Sequence, residues 1–256
     1  MTQAEAVALL HAAGVDGAAR DVQKLWAEAA GDAARFAAMI ERRAALEPVA
    51  KIIGRRAFWK HEFCVTPDVL DPRPDSETLV DCALQVPFET VLDLGTGSGC
   101  LVVSLLAERS EARGLGIDIS PAALDVAKGN GTRIGVGTRL DLAVSDWFSQ
   151  VEGRFDLIVS NPPYIDAESF EGLSAEVRIY DPKLALCPGG DGLDAYRVIT
   201  AHARDYLAKG GWLMVEIGFD QAVAVQGLFE RGGLEQIRCV QDLNGKDRVV
   251  LGRIMQ

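Results

Sequence analysis

From residue 90 onward, short apolar runs rich in Val, Ile and Leu alternate with amphipathic helical stretches, and this alternation constrains the fold more than any other feature. The runs at 90–94, 113–118, 139–144, 155–160, 211–217, 234–240 and 247–251 read as strands. The stretches at 100–109, 121–129, 193–208 and 221–231 read as helices between them. Strand-helix repetition of this kind builds a parallel sheet with helices on both faces. The last two strands have only a turn at 242–246 between them, too short for a parallel crossover, so they should pair antiparallel. The expected core is a seven-stranded, mostly parallel α/β sheet with one reversed strand at its end.

The chain ahead of this pattern differs. Thr2 and Glu5 have capping-box spacing and Gly14 suits a helix stop, giving a first helix. Two more are expected at 16–30 and 32–47, the last carrying Phe36, Met39 and Ile40 at helical spacing and ending at Pro48. Aromatic and β-branched residues around Phe58, Trp59 and Phe63, followed by Pro67, Pro72 and Pro74, suit a hairpin and extended linker. The organisation expected is therefore a small helical domain (1–48), a linker (49–75) and an α/β domain (76–256). A length of 256 residues accommodates one ordinary domain with an accessory unit, and a 48% hydrophobic content is ample for a core.

Composition excludes several classes. A net charge of -11 without any dense Lys/Arg cluster weighs against a nucleic-acid partner. Cys64, Cys82, Cys100, Cys187 and Cys239 are odd in number and scattered, as are His11, His61 and His202, so neither a disulfide framework nor a metal site is expected. No basic leader and no apolar run of about 18 residues is present, which reads as a soluble, cytoplasmic protein with no membrane contact.

The first strand ends in Gly95, Thr96, Gly97, Ser98 and Gly99. Glycines there let the backbone approach a ligand, and the following helix aims its free N–H groups at the same place. Cys100 stands where a dinucleotide fingerprint has its third glycine. Asp118 closes the second strand, where a carboxylate can accept both ribose hydroxyls; the lesser alternative is an N-terminal charge for the helix beginning at Pro121. After the third strand, Asp146 can accept from an adenine amino group and Trp147 offers a flat face to the ring.

Asn161, Pro162, Pro163 and Tyr164 follow the fourth strand directly, facing the glycine loop across the carboxyl end of the sheet. An amide NH₂ is a poor nucleophile because its lone pair is delocalised. Asn161 Oδ1 and the Pro162 carbonyl could each accept one N–H of such a group, turning its lone pair outward, while proline adds no competing donor. Tyr164 can lie against the planar amide. Taken alone, the box is equally a diproline turn opened by asparagine; its place behind a Gly-rich strand is what favours an acceptor site.

With these residues in hand, the sequence resembles the PrmC/HemK family of N5-glutamine methyltransferases over nearly all of 48–253. The likeness includes Phe58-Trp59, the run Pro72-Arg73-Pro74-Asp75-Ser76-Glu77, the glycine loop, Ser145-Asp146-Trp147-Phe148, the Asn-Pro-Pro-Tyr box, Tyr180-Asp181-Pro182 and Glu216-Ile217-Gly218. The box alone is shared with adenine methyltransferases; its combination with the Pro-Arg-Pro run is more specific. The resemblance implies a Rossmann-like class I fold dependent on S-adenosyl-L-methionine. It implies cofactor contacts at Gly95–Gly99, Asp118, Trp147 and Asn161, with substrate contacts at Asn161–Tyr164. It also implies an acceptor, the glutamine in the Gly-Gly-Gln loop of a class I peptide chain release factor, docked with the help of the N-terminal helices. Two departures stand out: Asp71 occupies a position usually apolar in relatives, and the helical region is shorter than the family norm.

Other readings make different demands. Glutamine methylation of a ribosomal protein goes with a different linker motif. Adenine-N6 methylation calls for a basic groove. A pure binding module would show damage in the glycine loop or acceptor box, and both are intact. A nicotinamide oxidoreductase lacks a reason for that box.

Overall fold

The computed structural model describes residues 1–187 and 189–255. Three helices open the chain: α1 (Gln3–Ala12), α2 (Ala18–Ala29) and α3 (Ala33–Ala44). Thr2 caps α1 in the capping box read from sequence, with Glu5 Oε2 accepting from Thr2 N at 2.8 Å. Asp32 caps α3 by accepting from Ala34 N and Arg35 N. Leu10, Val22, Leu25, Phe36 and Ile40 form a separate small core.

Helix α3 stops at Ala44, short of the expected end at Pro48, and Pro48 instead caps the short α4 (Val49–Ile53), whose Ile52 enters that helical core. The expected hairpin follows as β1 (Arg55–Phe58) and β2 (His61–Cys64), turning on Trp59 and Lys60. Phe58 and Phe63 do not stay with the helices. They bury against the α/β core, and Trp59 Nε1 donates to Glu108 Oε1 at 2.8 Å. The hairpin is thus clamped to the larger unit.

That unit contains α5 (Glu77–Leu84), β3 (Thr90–Leu94), α6 (Cys100–Glu108), β4 (Arg113–Asp118), α7 (Pro121–Ile134), β5 (Leu140–Val144) and β6 (Phe155–Ser160). Three short helices, α8 (Ala167–Glu171), α9 (Ala175–Tyr180) and α10 (Lys183–Leu186), precede α11 (Asp194–Tyr206), β7 (Leu207–Glu216), α12 (Ala222–Arg231), β8 (Glu235–Gln241) and β9 (Asp247–Arg253). The sheet order is β5-β4-β3-β6-β7-β9-β8, with β9 antiparallel to both neighbours and the other pairs parallel. The reversed strand is one place in from the edge. The α12 connection carries the chain past the slot beside β7 to lay β8 at the edge, and the tight turn then returns β9 into the gap.

Strand residues alternate between two cores, as a sheet covered on both faces requires. Val91, Leu157, Val159 and Met214 face α5 and α6; Leu92, Leu94, Ile158, Leu213 and Val215 face α11 and α12. Helix α7 runs past Gly129, where it was expected to stop, because Gly131 lets it lie close to β5: a Cβ there would come within 2.8 Å of Leu140 Cδ2. Helices α5 and α8–α10 were not among the expected elements. Among the described residues no helix is long and apolar enough to cross a membrane.

Candidate active site

The chain runs out from β3 to β4 and β5, then crosses back to β6 on the other side of β3. Ligands in open α/β sheets settle at such a reversal, outside the carboxyl ends of the strands. Here the ends of β3, β4, β5 and β6 surround a cavity of about 560 Å³.

Gly95 (φ +71°) and Gly97 (φ +53°) turn the loop, and no atom lies within 4 Å of where a Cβ would stand on either. That is open space for a ligand. Gly99 serves packing instead: a Cβ there would lie 3.1 Å from Ala127 Cβ. Thr96 Oγ1 donates to Asp93 Oδ2 at 2.7 Å beneath the loop, and Thr96 N donates to Ile117 O at 2.8 Å. Asp93 is fully buried, and burial pushes its pKa up to about 7.

Asp118 receives one backbone N–H on each oxygen, Gly97 N on Oδ2 and Ser120 N on Oδ1, both at 2.9 Å. Each oxygen keeps lone-pair capacity toward the cavity. Asp146 and Trp147 line the wall beyond β5. Trp147 has φ +48° and starts a 3-10 turn, which the Ser145 hydroxyl closes by donating to Trp147 O at 2.6 Å.

On the opposite side, Ser160 Oγ donates to Leu94 O at 2.7 Å and fixes the exit of β6. Asn161 and Pro163 line the cavity. Asn161 Nδ2 donates to Ser76 Oγ at 3.1 Å. Pro162 is buried, and the Tyr164 ring packs beneath the cavity against the α11–α12 core. Tyr164 OH lies 3.5 Å from Glu216 Oε1, and burial raises its pKa. The structure therefore brings Gly95, Thr96, Gly97, Ser98, Asp118, Asp146, Trp147, Asn161 and Pro163 around one space. The side chains of Pro162 and Tyr164, and Gly99, stand behind its wall.

Sequence reasoning assigned no role to Asp71, Arg73, Ser76 or Glu216. The first three line the cavity; Glu216 ends β7 fully buried, its pKa pushed up to about 7 by burial against a lowering by Ser76 and Arg248. Arg73 Nη2 donates to Asp181 Oδ2 at 2.9 Å. Lys51 Nζ, nearly enclosed, sits within 3.3 Å of Thr66 O, Val69 O, Asp71 Oδ1 and Asp181 Oδ1. The Pro-Arg-Pro run was conspicuous in sequence, but its partners are remote along the chain.

Residues 68–193 match the family model of the methyltransferase small domain. The chain is 50% identical over 266 residues to the release factor glutamine methyltransferase of Cereibacter sphaeroides, covering 97% of this chain and 96% of the relative. It is 48% identical over 225 residues to that of Rhodospirillum rubrum, covering 87% and 69%. Among solved structures, a methyltransferase from Pyrococcus furiosus superposes with a TM-score of 0.58 at 19% identity, over 86% of this chain and 97% of that one, a likeness of fold.

Proposed function

The chain belongs to the release factor glutamine methyltransferases, and from that premise we propose that it methylates the side-chain amide nitrogen (N5) of the glutamine in the Gly-Gly-Gln motif of class I peptide chain release factors. This places it in translation termination, in the cytoplasm. The observation that carries the reading is Asn161 at the cavity wall, its Nδ2 taken by Ser76 and its Oδ1 left to accept from a substrate.

The cavity suits S-adenosyl-L-methionine. The open Cβ positions at Gly95 and Gly97 make a cradle that side chains would fill, and Asp118 has acceptor capacity on both oxygens for ribose hydroxyls. Asp146 and Trp147 would hold the adenine. When bound, the cofactor supplies an electrophilic methyl group on a positively charged sulfur. The protein's own task is at the amide. Asn161 Oδ1 and the Pro162 carbonyl accept its two N–H bonds, aligning the lone pair and favouring a pyramidal nitrogen. Such catalysis is positioning with dipoles fixed in advance, and no general base is required. Tyr164, behind the wall, stiffens the loop that carries both acceptors.

The test is mass spectrometry of intact release factor after incubation with isotopically labelled cofactor. One labelled methyl on the Gly-Gly-Gln glutamine supports the reading, and an unmodified glutamine refutes it.

A further inference from the structure

The loop Asn161-Pro162-Pro163-Tyr164 cannot hold itself in place. Neither proline has an N–H, so neither can donate a backbone hydrogen bond. The mechanism above, on which this inference rests, also requires the Pro162 carbonyl to stay free for the acceptor. The loop must therefore be held from its ends. At the entry, Ser160 Oγ donates to Leu94 O and Asn161 Nδ2 donates to Ser76 Oγ.

The exit is held by a residue 57 positions further along the chain. Gln221 Nε2 donates to Tyr164 O at 3.0 Å, and Gln221 Oε1 accepts from Gly218 N at 3.0 Å. A peptide N–H only donates and a peptide carbonyl only accepts, so these two partners allow the amide one orientation. The residue type is otherwise out of place. Gln221 is the N-cap of α12, where Ser, Thr, Asp or Asn would accept from the first turn, and its side chain makes no capping bond. It reaches back to the acceptor loop instead. Gly192 (φ +76°) closes over the contact: a Cβ there would collide with Tyr164 O and stand 3.1 Å from Gln221 Nε2. The glycine-bearing segments 189–192 and 218–221 thus meet the acceptor loop at this one hydrogen bond.

We propose that Gln221 is a positioning residue for methyl transfer. Its amide pins the exit of the Asn161–Tyr164 loop, and so sets where Asn161 Oδ1 and the Pro162 carbonyl meet the acceptor nitrogen.

The test compares the full-length wild type with Gln221→Glu and Gln221→Met. Both variants keep the length of the side chain and lose the donor to Tyr164 O. Activity on release factor is expressed per cofactor-binding site counted by calorimetry, so unfolded protein does not enter. Each variant should lower kcat about tenfold to hundredfold, the scale of a small misplacement of reacting groups, with cofactor Kd and KM nearly unchanged. A pH profile separates positioning from fold stability. Once protonated, the carboxyl of Gln221→Glu can donate to Tyr164 O, so its kcat relative to wild type should rise as pH falls toward the carboxylate range. Gln221→Met should show no such rise. Burial keeps Tyr164 and Tyr196 protonated throughout, and Glu216, Asp166, Asp220 and Arg248 are common to all three proteins, so the ratio isolates the new carboxyl. Wild-type kcat in both variants, or a Gln221→Glu ratio that ignores pH, overturns the proposal.

A readout without methylation separates it from the functional reading. Ile165 N donates to Leu186 O at 2.9 Å just beyond the pinned carbonyl. In hydrogen exchange followed by mass spectrometry, the peptide covering Tyr164 and Ile165 should exchange faster in both variants, and the peptide covering β3 should not change. If the wild type leaves release factor unmethylated but this difference appears, the substrate assignment fails and the pin stands. Exchange equal to wild type refutes the pin whatever the activity.

Discussion

Gly97 donates its backbone N–H to Asp118 Oδ2 at 2.9 Å, tying the tip of the glycine loop to the end of the neighbouring strand. The carboxylate is thus already oriented, and Ser120 N holds its other oxygen. Asp118→Ala should weaken binding of S-adenosyl-L-methionine by about 1–3 kcal/mol, the worth of hydrogen bonds to a charged group. Calorimetry would read this as a roughly fivefold to 150-fold rise in Kd, with no binding of NAD by either protein. Unchanged affinity would remove Asp118 from the site.

Asn161 borders the same cavity, and the proposed mechanism has it act on the acceptor. Asn161→Ala should lower turnover by about 10²-fold or more while cofactor Kd moves only severalfold. Single-turnover methyl transfer beside calorimetry separates the two effects. Near wild-type turnover would show that the amide is aligned by something else.

What could be read in advance was whatever lies local in the chain. The glycine loop, Asp118 and Trp147 each follow a strand whose apolar run announces it, so the fold and this wall of the cavity were legible together. Helices α8–α10 were not, because each spans at most six residues and lacks a repeating apolar stripe. Ser76 and Asn161 are 85 residues apart, and no periodicity links them. Lys51 lies in the segment expected as linker, and nothing local announces that its ammonium is enclosed by oxygens from residues 66–71 and from Asp181.

That enclosure is testable. Lys51→Met leaves Asp71 and Asp181 buried without their shared cation and should cost about 3–5 kcal/mol, a fall of roughly 6–20 °C in Tm. Adding Asp71→Leu removes one orphaned carboxylate and should recover part of the loss. Thermal unfolding of the two variants decides it; a double variant less stable than Lys51→Met alone would contradict the ion-cluster account.

Asp93 sets a pH dependence. Its pKa rises from an ordinary 3.8 to about 7 through burial, offset in part by Thr96 Oγ1 and Val102 N. Between those values the folded protein holds a proton that the unfolded chain releases. The stabilisation is therefore complete below about pH 4 and lost as pH rises through 7. Asp93→Asn mimics the neutral form, so it should become progressively more favourable relative to the unmodified protein from pH 4 to pH 8. Urea midpoints at both pH values, compared between the two proteins, isolate this carboxyl from the others. A stability difference independent of pH would mean that Asp93 stays ionised in the fold.

The last expectation concerns the N-terminal helices. A single glutamine side chain entering beside Asn161 buries few atoms, so the cavity alone should hold a short peptide weakly. Selecting one glutamine in an intact release factor calls for a second surface, and we assign that role to residues 1–48. These helices also touch the segment leading out of the acceptor box: Tyr180 OH donates to Ala45 O at 2.9 Å, and Arg43 Nη2 lies 3.0 Å from Glu176 Oε2. Ile52 packs in their core as well. A chain beginning at Pro48 should therefore be less stable than the full protein, which lowers every activity alike through the folded fraction. The ratio of activity on intact release factor to activity on a Gly-Gly-Gln peptide cancels that fraction. It should fall at least about tenfold on truncation if the helices dock the partner, since even one lost anchoring contact is worth about 1.4 kcal/mol or more. A ratio that survives truncation would mean the helices serve stability and the partner docks elsewhere.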